Sequence, residues 1–474
     1  MKEGIVILGA GAAGMSAAYE LYRNKRNVTI IEKDSQVGGL AKTYQFGDFR
    51  TDNGPHRFYS KNKYLYDMIG DILGEHWIKV NRFTRFYING KYFKYPIEIG
   101  DTLKGLGFAG SARVMRDFLI AKSKNLVSRK EPANFEDYIV SNFGRTLAEL
   151  NMLNYTEKIW GIPCSQISID WADQRIKELS FLGVVKDALF GSGKKAKSLV
   201  DEFYYPDMGT GLIYEKIKEI IEKDSKIMLN NEVKRIHHIG NKIISVETEN
   251  YGKKIVTKCD TLVSSIPITY LINCMNPGAD EEVKNAMKNI KFRSQVYLFM
   301  TLNKERVSKD NWIYFPDKHI PIGRIHEPKN FSSKMSPEGK TSLFIEFFCF
   351  ENDEIWDMDK EKLFDTAIGW LDKLGFVKRE EVIDYYVKKQ HAVYPVYDLE
   401  YKKHLTALKS YLDKFENLIY IGRPGRFKYT NQDHSIEMGV MAARSIVDGK
   451  KYDIEKVGAE TEYFEKGYAP LKSN

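Results

Sequence analysis

A chain of 474 residues is more than one hydrophobic core holds together, so two or three lobes are expected. At 43% hydrophobic and 29% charged it has the make-up of a soluble globular protein, and no apolar run approaches the roughly 20 residues of a spanning helix. The net charge of +8 is spread along the chain rather than gathered into a nucleic-acid tail, and the four cysteines share no C-x-x-C spacing, which argues against a zinc site or disulfide framework.

Residues 4–8 (G-I-V-I-L) read as a strand ending in glycines, residues 12–23 as a helix, and residues 28–31 as a second strand closed by Glu32. Strand, tight turn, helix and strand in about 30 residues make a βαβ unit. A strand from residue 4 leaves no room for a signal peptide, and the expected compartment is the cytoplasm. Residues 103–182 are patterned as helices punctuated by Pro132, Gly161 and Pro163. Residues 227–256 alternate apolar and polar, with turn signals at Gly240-Asn241 and Asn250-Tyr251-Gly252, and predict antiparallel hairpins. Residues 259–266, 296–302 and 342–350 read as further strands, the last nearly all apolar and expected to be buried on both faces. A final strand at 418–421 precedes glycines and a helix running to residue 445.

Gly9-Ala10-Gly11-Ala12-Ala13-Gly14 is G-x-G-x-x-G directly after a strand and opening a helix. Its first glycine makes the turn, its second lets the backbone approach a pyrophosphate, and its third permits close helix–strand packing. The helix N-terminus offers unpaired N–H groups to the phosphates. Glu32, followed by Lys33, is placed to accept from ribose hydroxyls. A glycine-rich turn without a ligand would leave Glu32 unexplained, so a dinucleotide is expected.

Val37-Gly38-Gly39-Leu40-Ala41-Lys42-Thr43 follows directly and resembles the second glycine motif of the amine oxidase and protoporphyrinogen oxidase superfamily, with Leu40 where that family usually carries Arg. Ile421-Gly422-Arg423-Pro424-Gly425 resembles its closing flavin segment, and Asn231-Glu232-Val233 the strand whose Val touches adenine. The resemblance runs from Gly9 to Ser445 and implies FAD rather than NAD. It places the cofactor against Gly9, Gly11, Ala12, Ala13, Gly14, Glu32, Lys33, Gly38, Gly39, Leu40, Val233, Gly422, Arg423, Asn431, Gln432, Asp433 and Ser435. The expected fold is α/β, with a discontinuous Rossmann-type FAD-binding domain at 1–80, 200–275 and 410–450. A mixed or antiparallel-sheet substrate domain is expected at 81–102 and 276–409, a helical lobe at 103–199 and a tail at 451–474.

A narrower resemblance is to UDP-galactopyranose mutases. Asp52-Asn53-Gly54-Pro55-His56 is similar to the segment whose His lies beside their flavin ring. Trp160-Gly161-Ile162-Pro163 and Trp171-Ala172-Asp173-Gln174-Arg175 resemble the eukaryotic-type W-x-x-P and W-x-x-x-R pair, whose Arg binds the substrate's diphosphate. Arg324 stands where a second diphosphate Arg is expected, and Tyr394-Pro395 fits the substrate-side Tyr. The stretch from Arg423 to Tyr429, then Asn431-Gln432-Asp433-His434-Ser435, resembles the C-terminal signature, with a shorter gap before Asn431. The resemblance implies catalytic roles for His56, Arg175, Arg324, Tyr394 and Tyr429 and no metal. It implies interconversion of pyranose and furanose nucleotide sugars, with reduced flavin N5 as nucleophile at the anomeric carbon and NAD(P)H or a similar donor as reductant.

Arginine suits that task because its planar fork grips phosphate oxygens in pairs. A homo-oligomer is compatible with this reading, and no nucleic-acid or membrane-spanning partner is expected. Two other functions compete. A flavin oxidase or desaturase of the amine oxidase type shares every flavin motif and needs no diphosphate clamp. A flavin-stabilised scaffold without activity leaves the histidine, tyrosines and arginines without a purpose. The sugar and the nucleotide stay open.

Overall fold

The computed structural model describes residues 4–60, 62–95, 99–128, 131–175 and 202–458. A five-stranded parallel sheet runs in the order Leu418–Tyr420, Thr261–Ser264, Ile5–Leu8, Val28–Ile31, Lys226–Met228. Short apolar runs form it because both faces are covered, as in other parallel sheets. The helix Ala12–Arg23 lies against it, and the C-terminal helix Gln432–Asp448 lies against that helix. A Cβ on Gly439 would sit 2.2 Å from the Ala13 carbonyl oxygen, so small residues set this approach. The first strand, helix and second strand lie where the sequence places them.

The predicted hairpins need one correction. Residues 226–228 pair in parallel with Val28–Ile31 and belong to the nucleotide-type sheet, so the hairpins begin at Glu232. Asn230, with φ +55°, turns the chain between the two, and periodicity carries no signal for that break.

A second sheet has seven strands in the order Val382–Pro395, Phe292–Leu302, Thr341–Cys349, Arg324–His326, Trp312–Tyr314, Thr84–Ile88, Lys91–Lys94. It is antiparallel except where Trp312–Tyr314 runs parallel to Thr84–Ile88. Thr341–Cys349 is buried along nearly its whole length, as its apolar composition predicts. The 14-residue edge strand Val382–Pro395 is half exposed and polar, and the sequence marks only its Tyr394-Pro395 end. Its ladder with Phe292–Leu302 slips at a bulge around Ala392, whose φ is +52°.

The helical lobe contains Ile99–Ser128, bent at Gly107, then Phe135–Phe143, Arg145–Ala148, Asn154–Trp160 and Asp170–Arg175. Asn134 caps Phe135–Phe143 by accepting the Asp137 N–H. The rest of the predicted helical stretch and most of the tail lie outside the described residues. Among the described residues no helix is long and apolar enough to cross a membrane. All four cysteines are buried and free.

Candidate functional site

One cavity of about 810 Å³ is lined by the glycine turns, both sheets and the helical lobe. At one end its wall is backbone. A Cβ on Gly39 would lie 2.9 Å from the Gly11 Cα, and Gly39 has φ +56°, so the two turns meet only because position 39 carries no side chain. A Cβ on Gly14 would lie 1.9 Å from the Gly9 carbonyl oxygen. Gly14 therefore serves helix–strand packing, and among the expected cofactor residues it is the one that does not line the cavity.

Glu32 is held at the rim, its Oε2 accepting the Ala10 N–H at 2.7 Å and its Oε1 the Asp34 N–H at 2.9 Å. Lys33, Gly38, Leu40, Val233 and Gly422 line the same space. The Val233 carbonyl already accepts from the Tyr270 hydroxyl at 2.9 Å.

The N-terminus of Gln432–Asp448 closes this end. Asn431 is its cap, in a reciprocal pair with His434 that leaves the Asn431 side chain committed to the helix. Gln432 donates to the Tyr214 hydroxyl at 2.7 Å, and Ser435 lies 3.3 Å from the Thr430 hydroxyl. Burial raises the Asp433 carboxyl well above the usual range.

The other end is walled by side chains. Tyr394 and Tyr429 stack with centroids 5.7 Å apart, and the Arg423 guanidinium lies over both rings at 5.3 and 5.0 Å. Arg423 also donates to the carbonyls of Thr430 and Val393, strapping the segment after Tyr429 to the edge strand. Five consecutive residues of that strand, 390–394, line the cavity, which side-chain alternation forbids in a flat strand. The bulge at Ala392 makes it possible. Burial pushes the Tyr394 hydroxyl up to about 12.

Tyr155 and Tyr314 meet edge to face at 5.1 Å, and Tyr95 and Tyr297 also line the cavity. The Lys158 Nζ ties the Tyr155 helix to the loop between Tyr314 and Arg324, donating to the carbonyls of Phe315, Asp317, Ile320 and Ile322 at 2.5 to 3.2 Å. Burial pushes that group down to about 7. A neutral amine would turn a lone pair on carbonyls that need donors, so this geometry favours the ammonium.

His56 is half-buried, and its Nδ1 donates to the Gly54 carbonyl at 3.0 Å. Burial, then the Arg423 and Arg324 guanidiniums, push it down to about 4, so the ring is neutral and Nε2 is an acceptor. Arg324 reaches the cavity but is gripped in bidentate fashion by Glu346, with Nε–Oε1 and Nη2–Oε2 both 2.7 Å. Glu346 accepts a third bond from Gln295 at 3.0 Å. Arg175 ends the helix Asp170–Arg175, and its side chain lies outside the described residues.

Residues 12–397 match the model of a family described as flavin containing amine oxidoreductase. The chain belongs to this family. Among characterised relatives it is 21% identical over 370 residues to an L-amino-acid oxidase of Crotalus adamanteus, covering 67% of this chain and 64% of that protein. An L-amino acid oxidase of Cerastes cerastes is 23% identical over 411 residues, covering 80% and 73%. The chain thus spans somewhat under two thirds of the length of the first of these.

Among solved structures, a reduced UDP-galactopyranose mutase superposes with a TM-score of 0.83 at 20% identity, covering 97% of each chain. A putative protoporphyrinogen oxidase from Exiguobacterium sp. 255-15 gives 0.72 at 16%, covering 95% and 100%. These likenesses show the shared fold.

Membership of a flavin-containing family implies a flavin, and the residues present fit one. A Cβ on Gly11 would meet only the Gly39 Cα at 3.7 Å, so what a larger side chain would fill is cavity. The helix Ala12–Arg23 begins at Gly11 with no side-chain cap on its N–H groups. Asn53 Oδ1 and Asp433 Oδ2, both at the cavity, are buried and lack a hydrogen-bond partner among the described residues.

The sequence reading assigned no role to Glu346, Tyr155, Tyr314, Gln295 or Gln390, all of which line the cavity. Glu346 had a signal: a carboxylate inside the apolar run S-L-F-I-E-F-F demands a buried partner. The others had none, because tyrosines and glutamines in strands and helices are indistinguishable from core residues until the chain is folded.

Proposed function

We propose that this chain is a flavin-dependent mutase acting on a nucleotide sugar, interconverting its pyranose and furanose forms. The observation that supports it best is the tyrosine end of the cavity, where Tyr155, Tyr314, Tyr394 and Tyr429 gather with Arg423 and Arg324. Hydroxyls and guanidiniums in one wall suit a polyhydroxylated anion better than an apolar or cationic substrate. The end-to-end likeness in fold to a UDP-galactopyranose mutase supports the same reading.

FAD would be held by Gly9, Gly11, Gly38, Gly39, Glu32, Gly422 and the Asn431–Ser435 turn. When bound and reduced, the flavin supplies a nucleophile for the anomeric carbon. The chain's own contribution is to keep the departing diphosphate beside the sugar, through Arg175 and Arg324 with Tyr394 and Tyr429, so that it can be recaptured. Arg324 takes that part by sharing its guanidinium between Glu346 and the phosphate, its Nη1 being outside the bidentate pair. Neutral His56 adds an acceptor without adding charge.

One observation favours an oxidoreductase of the amine oxidase type instead. The Arg324–Glu346 pair is already neutral, which a diphosphate clamp does not require. A single assay separates the two. Dithionite-reduced protein with UDP-galactopyranose and no air should yield the furanose over many turnovers without consuming reductant. Oxygen uptake matched to oxidation of an amine or L-amino acid, with no furanose formed, would establish the second reading.

A further inference from the structure

The helix Asn154–Trp160 and the loop 315–323 come from different parts of the molecule, and each carries a piece of the cavity wall. Tyr155, Thr156 and Ile159 line the cavity from the helix, while Tyr314 and Arg324 line it from the two ends of the loop. The helix belongs to the helical lobe and the loop to the seven-stranded sheet, so their junction sets how far apart those pieces stand. Lys158 makes that junction, and it is not among the residues that line the cavity.

Its Nζ gathers carbonyls from both limbs of the loop, Phe315 and Asp317 on one, Ile320 and Ile322 on the other. The limbs are thereby drawn together just before they continue into Tyr314 and Arg324. The Phe315 N–H also donates to the Gly323 carbonyl at 3.1 Å, and a Cβ on Gly323 would lie 2.2 Å from the Phe348 ring, so this end of the loop has no slack. Tyr155, one helical turn before Lys158, meets Tyr314 edge to face, and the Arg324 guanidinium lies 5.8 Å from the Tyr314 ring centre. Glu157 also holds the loop, through Lys318, but that lysine is 61% exposed and such a pair holds weakly. Charge-assisted bonds from a half-buried ammonium to fixed carbonyls hold far better.

We propose that Lys158 is a positioning residue for the ligand of the tyrosine end, holding Tyr155 at a set distance from Tyr314 and Arg324 without touching the ligand itself. The inference rests on reading that end as the nucleotide-sugar site.

The test uses the flavin-loaded, dithionite-reduced chain with UDP-galactopyranose. Lys158→Ala removes everything from Cγ to Nζ, which n-propylammonium matches atom for atom. KM should rise about tenfold, within the range by which residues remote from a ligand tune its binding, while kcat changes less than about threefold. Flavin content should not change. n-Propylammonium chloride should return KM towards the parent value. Propan-1-ol, with one neutral donor, and tetramethylammonium chloride, with no N–H, should not. Without any substrate, amide hydrogen exchange should rise at 154–160 and 312–326 and stay as in the parent at the glycine turns. Should Lys158→Ala not fold, Lys158→Gln keeps two N–H donors and should show a smaller rise in KM.

The proposal is overturned if KM and hydrogen exchange match the parent, or if kcat falls while KM holds. It also fails if propan-1-ol restores KM as well as n-propylammonium does. Faster exchange throughout the chain with loss of flavin would make Lys158 a general support of the fold and overturn it too. A parent that forms no furanose sinks the mutase reading instead, and the exchange pattern then decides on Lys158 by itself.

Discussion

At the glycine end of the cavity the walls are backbone, drawn from turns at 9–14 and 38–39 that touch at Gly11 and Gly39. At the tyrosine end they are side chains, carried by the helix Asn154–Trp160, the strands Trp312–Tyr314, Arg324–His326 and Val382–Pro395, and the segment at 429. The first end depends on what is missing from a few neighbouring positions. The second depends on distant segments arriving in register. A change at the first should therefore act on cofactor binding or on local folding, and a change at the second on stability and ligand preference with the flavin still in place.

The largest expected effects are in the glycine turns. Gly14→Val should prevent folding, since 1.9 Å from a carbonyl oxygen exceeds anything a packed turn absorbs. Gly11→Val should fold, because its Cβ would meet only the Gly39 Cα at an ordinary contact distance of 3.7 Å, and should lose its yellow flavin absorbance. A folded Gly11→Val protein with one flavin per chain would show that the two ends do not divide as described.

Glu346→Ala comes next. It strands Arg324 at a mostly buried site, for which a loss of about 3–5 kcal/mol is expected in urea unfolding. Changing both Arg324 and Glu346 to Met should recover most of it, with flavin content unaffected throughout.

His56 comes third. Its pKa of about 4 lies below the 6.5 of an ordinary histidine, so as pH falls the unfolded chain takes up a proton before the folded one. Its contribution is complete above 6.5 and is lost between 6.5 and about 4, by up to roughly 3 kcal/mol. His434, held near 3 by burial first, acts in the same direction. His56→Gln should remove its own share, measured as the difference between unfolding at neutral pH and near pH 4. Parallel curves for parent and variant would refute it.

Asn431→Ala is the mildest, about 1 kcal/mol for a lost helix cap. A marked loss of flavin from that variant would mean that Asn431 serves the cofactor as well as the helix.

The same division decides what could be read before folding. Gly9 to Gly14 and Glu32 are legible because a short local pattern is itself the structure: strand, turn and helix are contiguous, and each glycine has one reason to be there. The strands at 5–8, 28–31 and 342–350 are legible because burial on both faces leaves a nearly continuous apolar run. Val382–Pro395 was missed because an edge strand facing solvent keeps lysines and aspartate on its surface, and its bulge at Ala392 has no signature in composition. Residues 227 and 228 belong with Val28–Ile31 rather than with the hairpins, and a strand of three residues is too short to show a period. Arg324 could be named from its surroundings, but its tie to Glu346, 22 positions away, becomes visible only when two strands lie side by side.

Four backbone carbonyls converging on Lys158 Nζ amount to a coordination shell, the arrangement with which ion filters replace a cation's water. Here the cation is tethered to its own chain, so the shell is filled whatever salt surrounds the protein. The loop between Tyr314 and Arg324 is held to the Tyr155 helix by bonds to neutral dipoles. The tyrosine end is thus stiffened by a tethered cation whose hydrogen bonds all go to backbone, with the Asp317 carboxylate near enough to favour its charge.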